Sequence, residues 1–419
     1  MTATDGPGAE RFDVGGYWQE RPFRVTRLGH VGLNCSRFDE SLHLYRDLLG
    51  FRTSDRMDFK DRRPDPEVLE GLGDTGGYFM RHATDHHSFV LFNRQVIDAV
   101  NSNLNRAFRP GITVNQISWQ VGTLHEVVDG EHWLRDGGRE IQRAGRDMPG
   151  SNWHTYFYDV DGHTNELYCG MEQLGWQASS KPLEFYKYML RETAKLPQIS
   201  ETEEVNTAIA NGVDLNSGQR NVAVDRGTFD VGGVLATRPF KITKIGPLRL
   251  FVDDIDAART FYRDVLGLRV TEEIEYEGLR CVLLRAGTEH HTIGLYPIEL
   301  RDRLGLSPHS TTFSVAFQVG GYRQLRDART FLLKHGLTEE KLPPELFPGI
   351  PRAFRFRDPD GHVVELYDSM RQVIAPEPAA GQAAGRTAGR TADFGDEWPE
   401  TIEDDGIPFL GEPFLGPVE

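Results

Sequence analysis

FDVGGYWQERPFRVTRLGH, residues 12–30, recurs as FDVGGVLATRPFKITKIGP at residues 229–247. Further pairs continue along both copies: LYRDLLGF (44–51) with FYRDVLGL (261–268), DHHSFVLF (85–92) with EHHTIGLY (289–296), ISWQVG (117–122) with VAFQVG (315–320), and YDVDGHTNELYCGM (158–171) with RDPDGHVVELYDSM (357–370). A repeat of this extent indicates a duplicated structural unit. The sequence therefore predicts two related domains, 10–175 and 227–373, joined by a linker, 176–226.

Each copy shows the same alternation of strand and helix signals. VTRLGHVGLNC and ITKIGPLRLFV are rich in apolar and β-branched residues, which is typical of strands. Ser36 and Asp254 are plausible N-caps for the helices that follow. The first strand–helix unit of each half leads into three short strands, and a second unit begins at Ile117 with a helix near 124–136. The pattern predicts an α+β fold of four βαβββ modules, two in each half.

The two remaining segments have weaker signals. In the linker, residues 183–196 are predicted to be helical and the polar remainder to be loop. Residues 374–419 form a low-complexity tail that ends in an acidic stretch, and this composition predicts disorder. A competing interpretation is that its two PFLG copies dock on a partner or a neighbouring subunit.

Composition excludes several classes of function. The chain has 63 acidic and 47 basic residues and a formal net charge of -16, which disfavours nucleic acid as a partner. No apolar run approaches the roughly 20 residues of a membrane helix, and no secretory signal is visible. The three cysteines are far apart, which disfavours a disulfide framework. These features predict a cytoplasmic protein, most often an enzyme.

The repeated HH-[ST] and D-x-DGH-x-x-EL motifs resemble those of the vicinal oxygen chelate superfamily, in particular its two-domain extradiol dioxygenases of the catechol 2,3-dioxygenase type. The resemblance implies that two modules close into a half-barrel around one metal ion. The ligands would come from the first, fifth and eighth strands of a domain, as the His, His and Glu that suit Fe(II). Carried over to the first half, these positions are His30, Gln116 and Glu166.

The corresponding positions of the second half are Pro247, Ser314 and Glu365. Proline cannot bind a metal and serine is a poor ligand, so we expect at most one metal ion per chain, in the first half. The usual extradiol enzyme has the opposite arrangement, with its active domain at the C-terminus. Because Glu365 persists without the other ligands, a purely structural role for the motif around Glu166 is the alternative.

The same resemblance implies catalytic residues in the first half. The acid/base histidine falls on His87 and the catalytic tyrosine on Tyr156, ten residues before Glu166. His154 shares a strand face with Tyr156, and it would either complete the metal site or contact substrate where Gln116 lacks an imidazole. Gln116 is either an amide ligand or a wall residue. His291 occupies the position of His87 in the other half, so the role of His87 is either catalytic or structural.

Three functions compete at this stage. The first is an extradiol dioxygenase that uses Fe(II), or Mn(II) or another divalent metal, on a small catechol-like aromatic and O2. The second is a glyoxalase-like isomerase or lyase, favoured by Gln116. The third is a metal-free module that binds aromatic molecules. The resemblance also implies a homo-oligomer.

Overall fold

The computed structural model describes residues 2–3, 11–62, 64–101, 111–175, 179–220, 227–373 and 398–402. The strands of the N-terminal half are β1 (Thr2–Ala3), β2 (Arg11–Val14), β3 (Tyr17–Gln19), β4 (Arg27–Cys35), β5 (Arg52–Asp58), β6 (Gly76–Arg81), β7 (Phe89–Asn93), β8 (Val114–Gln120), β9 (Ile141–Gly145), β10 (Trp153–Tyr158) and β11 (Thr164–Cys169). The helices of this half are α1 (Phe38–Leu42), α2 (Arg94–Asn101) and α3 (Leu124–Asp136).

The linker contributes α4 (Glu201–Ala210). The strands of the C-terminal half are β12 (Phe229–Val231), β13 (Val234–Ala236), β14 (Ile242–Val252), β15 (Arg269–Tyr276), β16 (Leu279–Arg285), β17 (Ile293–Pro297), β18 (Thr312–Val319), β19 (Ala353–Arg357) and β20 (Val363–Tyr367). Its helices are α5 (Ile255–Thr260), α6 (Glu299–Arg303) and α7 (Tyr322–Lys334).

Each half is built on one large mixed sheet, and the two sheets share one strand order. That order is β5-β6-β7-β4-β8-β11-β10-β9 in the first half and β15-β16-β17-β14-β18-β20-β19 in the second. The first strands of the two modules, β4 and β8, pair antiparallel at the centre. The α+β class and the modular arrangement are therefore confirmed. In the fourth module the strand equivalent to β9 is reduced to an isolated bridge between Glu339 and Phe356.

The central strands β4 and β14 are almost entirely buried, in keeping with their nearly continuous apolar sequence. Each leads into a short α-helix, α1 or α5, that continues as a π-helical turn, His43–Leu48 or Phe261–Val265. The apolar side chains of these segments join residues of both sheets in one hydrophobic core. Packing of these apolar side chains against the sheets thus stabilises both helical segments.

The two helix caps predicted from the sequence have different outcomes. Asp254 caps α5, because its carboxylate accepts hydrogen bonds from the backbone N–H groups of Asp256 and Ala257. The prediction for Ser36 is wrong, since α1 has no side-chain cap. Asp360 of the other half instead accepts the Ser36 N–H at 3.0 Å. A distant carboxylate has replaced the local hydroxyl.

The halves are joined by matching hydrogen bonds around two buried aspartates. The Tyr45 hydroxyl donates to Asp358 at 2.9 Å, and the Tyr262 hydroxyl donates to Asp159 at 2.8 Å. The motif histidines complete each set, because His362 binds Asp358 and Thr113 whereas His163 binds Asp159 and Thr311. These histidines, which belong to the repeated D-x-DGH motif, therefore help to hold the two halves together.

The linker differs from its prediction. Within 183–196 only a 3₁₀ segment forms, at Leu183–Tyr188, and the α-helix lies in the stretch predicted to be loop. Ser200 caps this helix, α4, by accepting from the Glu203 N–H. In the tail, the described residues 398–402 pack on α7, where Trp398 stacks on Tyr322. Both PFLG copies lie outside the described residues.

Candidate metal centre

His30 on β4 and Glu166 on β11 meet inside the first half, and both side chains are fully buried. The Nε2 atom of His30 lies 2.8 Å from Oε2 of Glu166. The angles of this contact are not those of a hydrogen bond, and neither ring nitrogen of His30 has a hydrogen-bond partner. An imidazole and a carboxylate that converge in this way are a donor pair suited to divalent iron or manganese.

These two residues belong to a row that crosses five neighbouring strands. Strand register places Arg143 opposite Tyr156, Tyr156 opposite Glu166, Glu166 beside Ser118, and Ser118 opposite His30. Because residues paired across strands point to the same face, all five side chains lie on one side of the sheet. The row brings the predicted ligands and the predicted tyrosine to one surface.

Neighbouring polar groups hold Glu166 in its ionised form. Ser118 Oγ donates to Oε2 at 2.5 Å, and Asn152 Nδ2 donates to Oε1 at 2.8 Å. Burial by itself would raise the pKa of Glu166, but His30, His154 and the Ser118 hydroxyl together bring this pKa below its usual value. The carboxylate is thus charged, oriented and shielded from water.

His87 lies against the ligand candidates. Its ring and the ring of His30 have centroids 4.4 Å apart at a steep angle. Its Nδ1 is 3.0 Å from Nδ1 of His86, so one of these two rings donates a hydrogen bond to the other. Burial, together with repulsion from His30 and His86, lowers the pKa of His87 well below its ordinary value. His87 is therefore neutral near pH 7, and one of its ring nitrogens carries no proton.

His154 and Tyr156 complete the same face of β10. Nδ1 of His154 lies 3.9 Å from Oε1 of Glu166, and its buried Nε2 has no hydrogen-bond partner. Burial and the nearby Arg143 lower the pKa of His154 to about 4. Burial and then the charge of Glu166 raise the pKa of Tyr156 well above its ordinary value, so its phenol stays protonated. Tyr156 can donate a hydrogen bond.

Gln116, the third ligand predicted from the sequence, lies on β8 opposite Gly32 and is buried. It is two residues from Ser118 and therefore faces the same side of the sheet. A Cβ atom at Gly32 would lie 3.1 Å from Cγ of Gln116, so the glycine leaves room for this side chain. In the described part of the chain, no three histidine, cysteine, aspartate or glutamate side chains are grouped to hold a metal.

Three contributors to the site are not predicted by the sequence: Ser118, Asn152 and Arg143. The spacing of Ser118 from Gln116 by two residues was the available signal, since both had to share a strand face. Asn152 precedes β10 and reaches Glu166 only through the hairpin that joins β10 to β11. Arg143 is brought beside Tyr156 by the register of β9, which the sequence pattern does not reveal.

In the second half, an arginine side chain lies beside Glu365, the glutamate that corresponds to Glu166. Arg249, at the repeat position of Gly32, is fully buried and donates from Nη1 to Ser314 and to Glu365, both at 3.0 Å. Its Nη2 lies 3.1 Å from Nε2 of His291. Arg355, at the repeat position of Tyr156, donates to the other oxygen of Glu365 at 2.5 Å. A cation built into the chain therefore neutralises Glu365.

Comparison with known proteins assigns the class. The sequence model of the Glyoxalase/Bleomycin resistance protein/Dioxygenase superfamily matches residues 27–167 and 244–366, and the chain belongs to this superfamily. The resemblance inferred from the repeated motifs is therefore confirmed. No helix among the described residues has the length and apolar character needed to cross a membrane.

Individual relatives share little sequence identity with this chain. The manganese-dependent 2,3-dihydroxybiphenyl 1,2-dioxygenase of Geobacillus genomosp. 3 is 28% identical over 142 residues, which are 33% of this chain and 40% of that protein. Homoprotocatechuate 2,3-dioxygenase from Arthrobacter globiformis has a TM-score of 0.51 at 15% identity, with 84% of this chain and 83% of that chain covered. The Mn(II)-bound glyoxalase from Novosphingobium aromaticivorans has a TM-score of 0.50 at 16% identity, with 84% of each chain covered. At such identities the two structures show likeness of fold alone.

Proposed function

We propose that this protein is a non-haem, metal-dependent dioxygenase of the extradiol type, which opens a catechol-like ring with O2. The observation that carries the proposal is the buried pair of His30 and Glu166, set beside a neutral His87 and a protonated Tyr156. The similarity to a manganese-dependent dioxygenase supports Fe(II) or Mn(II) as the metal. A cytoplasmic location and a homo-oligomer stay predictions.

The metal ligands would be His30 and Glu166, with Gln116 or His154 as the third. A divalent ion bound there would supply open positions for both catechol oxygens and for O2. Ser118 and Asn152 would keep Glu166 oriented, because each holds one of its oxygens. The N-terminal domain, 10–175, would carry the chemistry, and the C-terminal domain, 227–373, would support it.

Two side chains would handle protons. His87, neutral in the resting site, would accept a proton from a catechol hydroxyl as the substrate binds and return it later as an acid. Tyr156 would donate a hydrogen bond to a substrate oxygen, since its phenol stays protonated. Both groups are buried, so bulk water would not compete for these contacts.

The test begins with protein purified without air or chelator. We expect iron or manganese near one per chain by elemental analysis, and O2 uptake when catechols are added. Metal near one per chain without O2 uptake over a panel of catechols would contradict the oxygenase chemistry. Absence of metal even after reconstitution, with stoichiometric binding of an unchanged aromatic, would instead favour the binding-module interpretation.

A second candidate function is supported by Gln116. An amide ligand gives a weaker field than imidazole, and a metal held by His, Gln and Glu suits Lewis-acid isomerase or lyase chemistry. Turnover of a carbonyl substrate without O2 consumption would select this function. If Gln116 is a ligand, Gln116→His should tighten iron binding measured by competition with a chelator. An unchanged affinity would remove Gln116 from the ligand set, and Gln120→His, four residues further along β8, serves as the matched control.

A further inference from the structure

A groove of about 760 Å³ lies where the end of α7 meets the first helix of the other half. Leu44 and Leu48, on the helical segment that continues α1, line it from the first half. Leu337, just beyond α7, lines it from the second half, and charged side chains such as Glu40 and Arg357 complete the lining. None of the lining residues belongs to the candidate metal centre. The groove is therefore a separate surface to which both halves contribute.

The equivalent crevice on the opposite side, between α3 and the second half, is covered by the chain itself. Arg139 stands there at the repeat position of Leu337, and its guanidinium carbon lies 5.6 Å from the ring of Phe261. Phe261 in turn is at the repeat position of Leu44. Two leucines thus replace a long cation and an aromatic ring. A groove lined by leucines favours an occupant that brings apolar side chains of its own.

The tail of this chain runs along α7 in the direction of the groove. Trp398 stacks on Tyr322, in the first turn of the helix. The Tyr322 hydroxyl donates to the carbonyl of Pro399 at 2.7 Å, and Nη1 of Arg326 donates to the carbonyl of Glu400 at 2.8 Å. Tyr322 and Arg326 are neighbours on one face of α7, one turn apart. Successive tail residues therefore advance towards the C-terminal end of the helix, where the groove lies.

The number of residues that follow also suits this path. Leu337 comes eleven residues after Arg326, a rise of about 16 Å in a helix. The first Pro-Phe-Leu-Gly copy, 408–411, lies outside the described residues and starts six residues after Ile402. Six extended residues span at most about 20 Å. The first copy can therefore reach the groove directly, whereas the second copy, 413–416, starts five residues further along.

Charge favours the same path. In a chain whose formal net charge is -16, helix α7 is basic: it has one acidic residue, Asp327, and four basic residues, Arg323, Arg326, Arg329 and Lys334. The tail stretch 398–405 has no basic residue and four acidic residues, Glu400, Glu403, Asp404 and Asp405. Complementary charges of this kind steer two surfaces together and fix their register. The acidic stretch would thus be held on α7, with the first Pro-Phe-Leu-Gly copy following it.

We propose that the first Pro-Phe-Leu-Gly copy, 408–411, docks in this groove and places its Phe and Leu side chains against the three leucines. Docked there, the segment contacts α7 of the second half and the helix of the first half at the same time. The tail thus acts as a strap that fastens the two halves on their outer side. The inference does not depend on the proposed function, because the groove and the candidate metal centre share no residue.

Disulfide trapping in the full chain tests the docking. Thr338→Cys, at an exposed position that lines the groove, is combined either with Gly411→Cys or with Gly416→Cys, the matching position of the second copy. The three native cysteines are buried. We expect the pair with Gly411→Cys to cross-link at least about 10-fold faster, because docking holds its thiols near the separation that a disulfide requires. Peptide mapping by mass spectrometry at successive times of oxidation measures both rates.

Matched variants of the two copies test what holds the segment in place. Phe409→Ala with Leu410→Ala should reduce the fast cross-linking to the rate of the control pair. Phe414→Ala with Leu415→Ala should leave it unchanged. Equal rates for the two cysteine pairs when both are fast, or fast cross-linking that survives the loss of Phe409 and Leu410, would overturn the proposal.

Two further outcomes are also decisive. A disulfide between two chains, seen as a covalent dimer on a denaturing gel, would assign the groove to the tail of a second copy and overturn the strap within one chain. If both pairs cross-link slowly, amide hydrogen exchange of the unmodified protein decides. Exchange at least about 10-fold slower in 408–411 than in 413–416 would uphold the docking, and equal exchange would overturn it.

Discussion

The two halves of the molecule share a strand order and differ in what occupies the centre of each sheet face. In the first half, Gly32 leaves room for the side chain of Gln116, and the ring nitrogens of His30 are without hydrogen-bond partners. In the second half, Arg249 stands at the position of Gly32 and fills the equivalent space with its own charge. The second half thus holds its buried glutamate with a cation of its own, whereas our proposal assigns that role in the first half to an external metal ion.

This comparison explains why the glutamate persists in both halves. A buried carboxylate is costly unless an opposite charge and hydrogen bonds accompany it. Glu365 has Arg249 and Arg355 as partners, whereas Glu166 accepts hydrogen bonds from Ser118 and Asn152 and has Nε2 of His30 at 2.8 Å. The glutamate of the repeated motif therefore forms an ion pair in the second half and remains available as a metal ligand in the first half.

The largest expected effect comes from removing a candidate ligand. His30→Ala should abolish metal binding, because it deletes the imidazole that faces Glu166. Elemental analysis after metal loading measures this, with near-zero metal expected against about one per chain in the wild type. Ser314→Ala, which alters the second half at the repeat position of Gln116, should keep its metal. Full metal content in His30→Ala would mean that the two halves do not differ in the way proposed.

The next effect concerns His87 and His291, which occupy equivalent positions in the two halves. His87→Ala should keep the metal and lose about 10²–10⁴-fold in turnover, the contribution typical of a general acid/base. His291→Ala should leave turnover within a few-fold, since His291 contacts Arg249 in the half without a metal site. Metal content and steady-state rates of both variants test this asymmetry. Turnover of His87→Ala within a few-fold of the wild type would remove His87 from the mechanism.

A third effect is on stability alone. Arg249→Ala should lower the free energy of unfolding by about 3–5 kcal/mol, because Glu365 would lose a buried partner. The triple variant Arg249→Met, Arg355→Met and Glu365→Leu should recover much of this loss, since the carboxylate and both of its cationic partners leave together. Denaturant unfolding measures both. A loss below about 1 kcal/mol in the single variant would show that Arg355 suffices for Glu365.

The smallest effect tests the symmetry between the halves. Tyr45→Phe and Tyr262→Phe each remove one buried hydrogen bond to an aspartate, worth about 1.5–3 kcal/mol. Because the two networks match, we expect the two losses, measured by denaturant unfolding, to agree within about 0.5 kcal/mol. Clearly unequal losses would mean that the interface between the halves is less symmetric than its hydrogen bonds suggest.

The sequence by itself determined the duplicated architecture and part of the site. The repeat specified two related halves because similar hydrophobic patterns form similar strands and helices, and Asp254 specified a local cap through neighbouring backbone groups. Pro247, at the repeat position of His30, showed from the sequence alone that the two halves differ in their candidate metal ligands. Proximity along the chain, or the chemistry of a single residue, was enough in each of these cases.

Only the tertiary structure decided the contacts that depend on strand register and on the other half. The row from Arg143 to His30 exists because five strands pair in one particular register. Asp360 replaced Ser36 as the partner of a helix start, and Arg249 became the partner of Glu365, across long separations in sequence. Hydrogen bonds and ion pairs depend on distances of a few ångströms, and such distances between remote residues are set by packing, which a linear pattern does not encode.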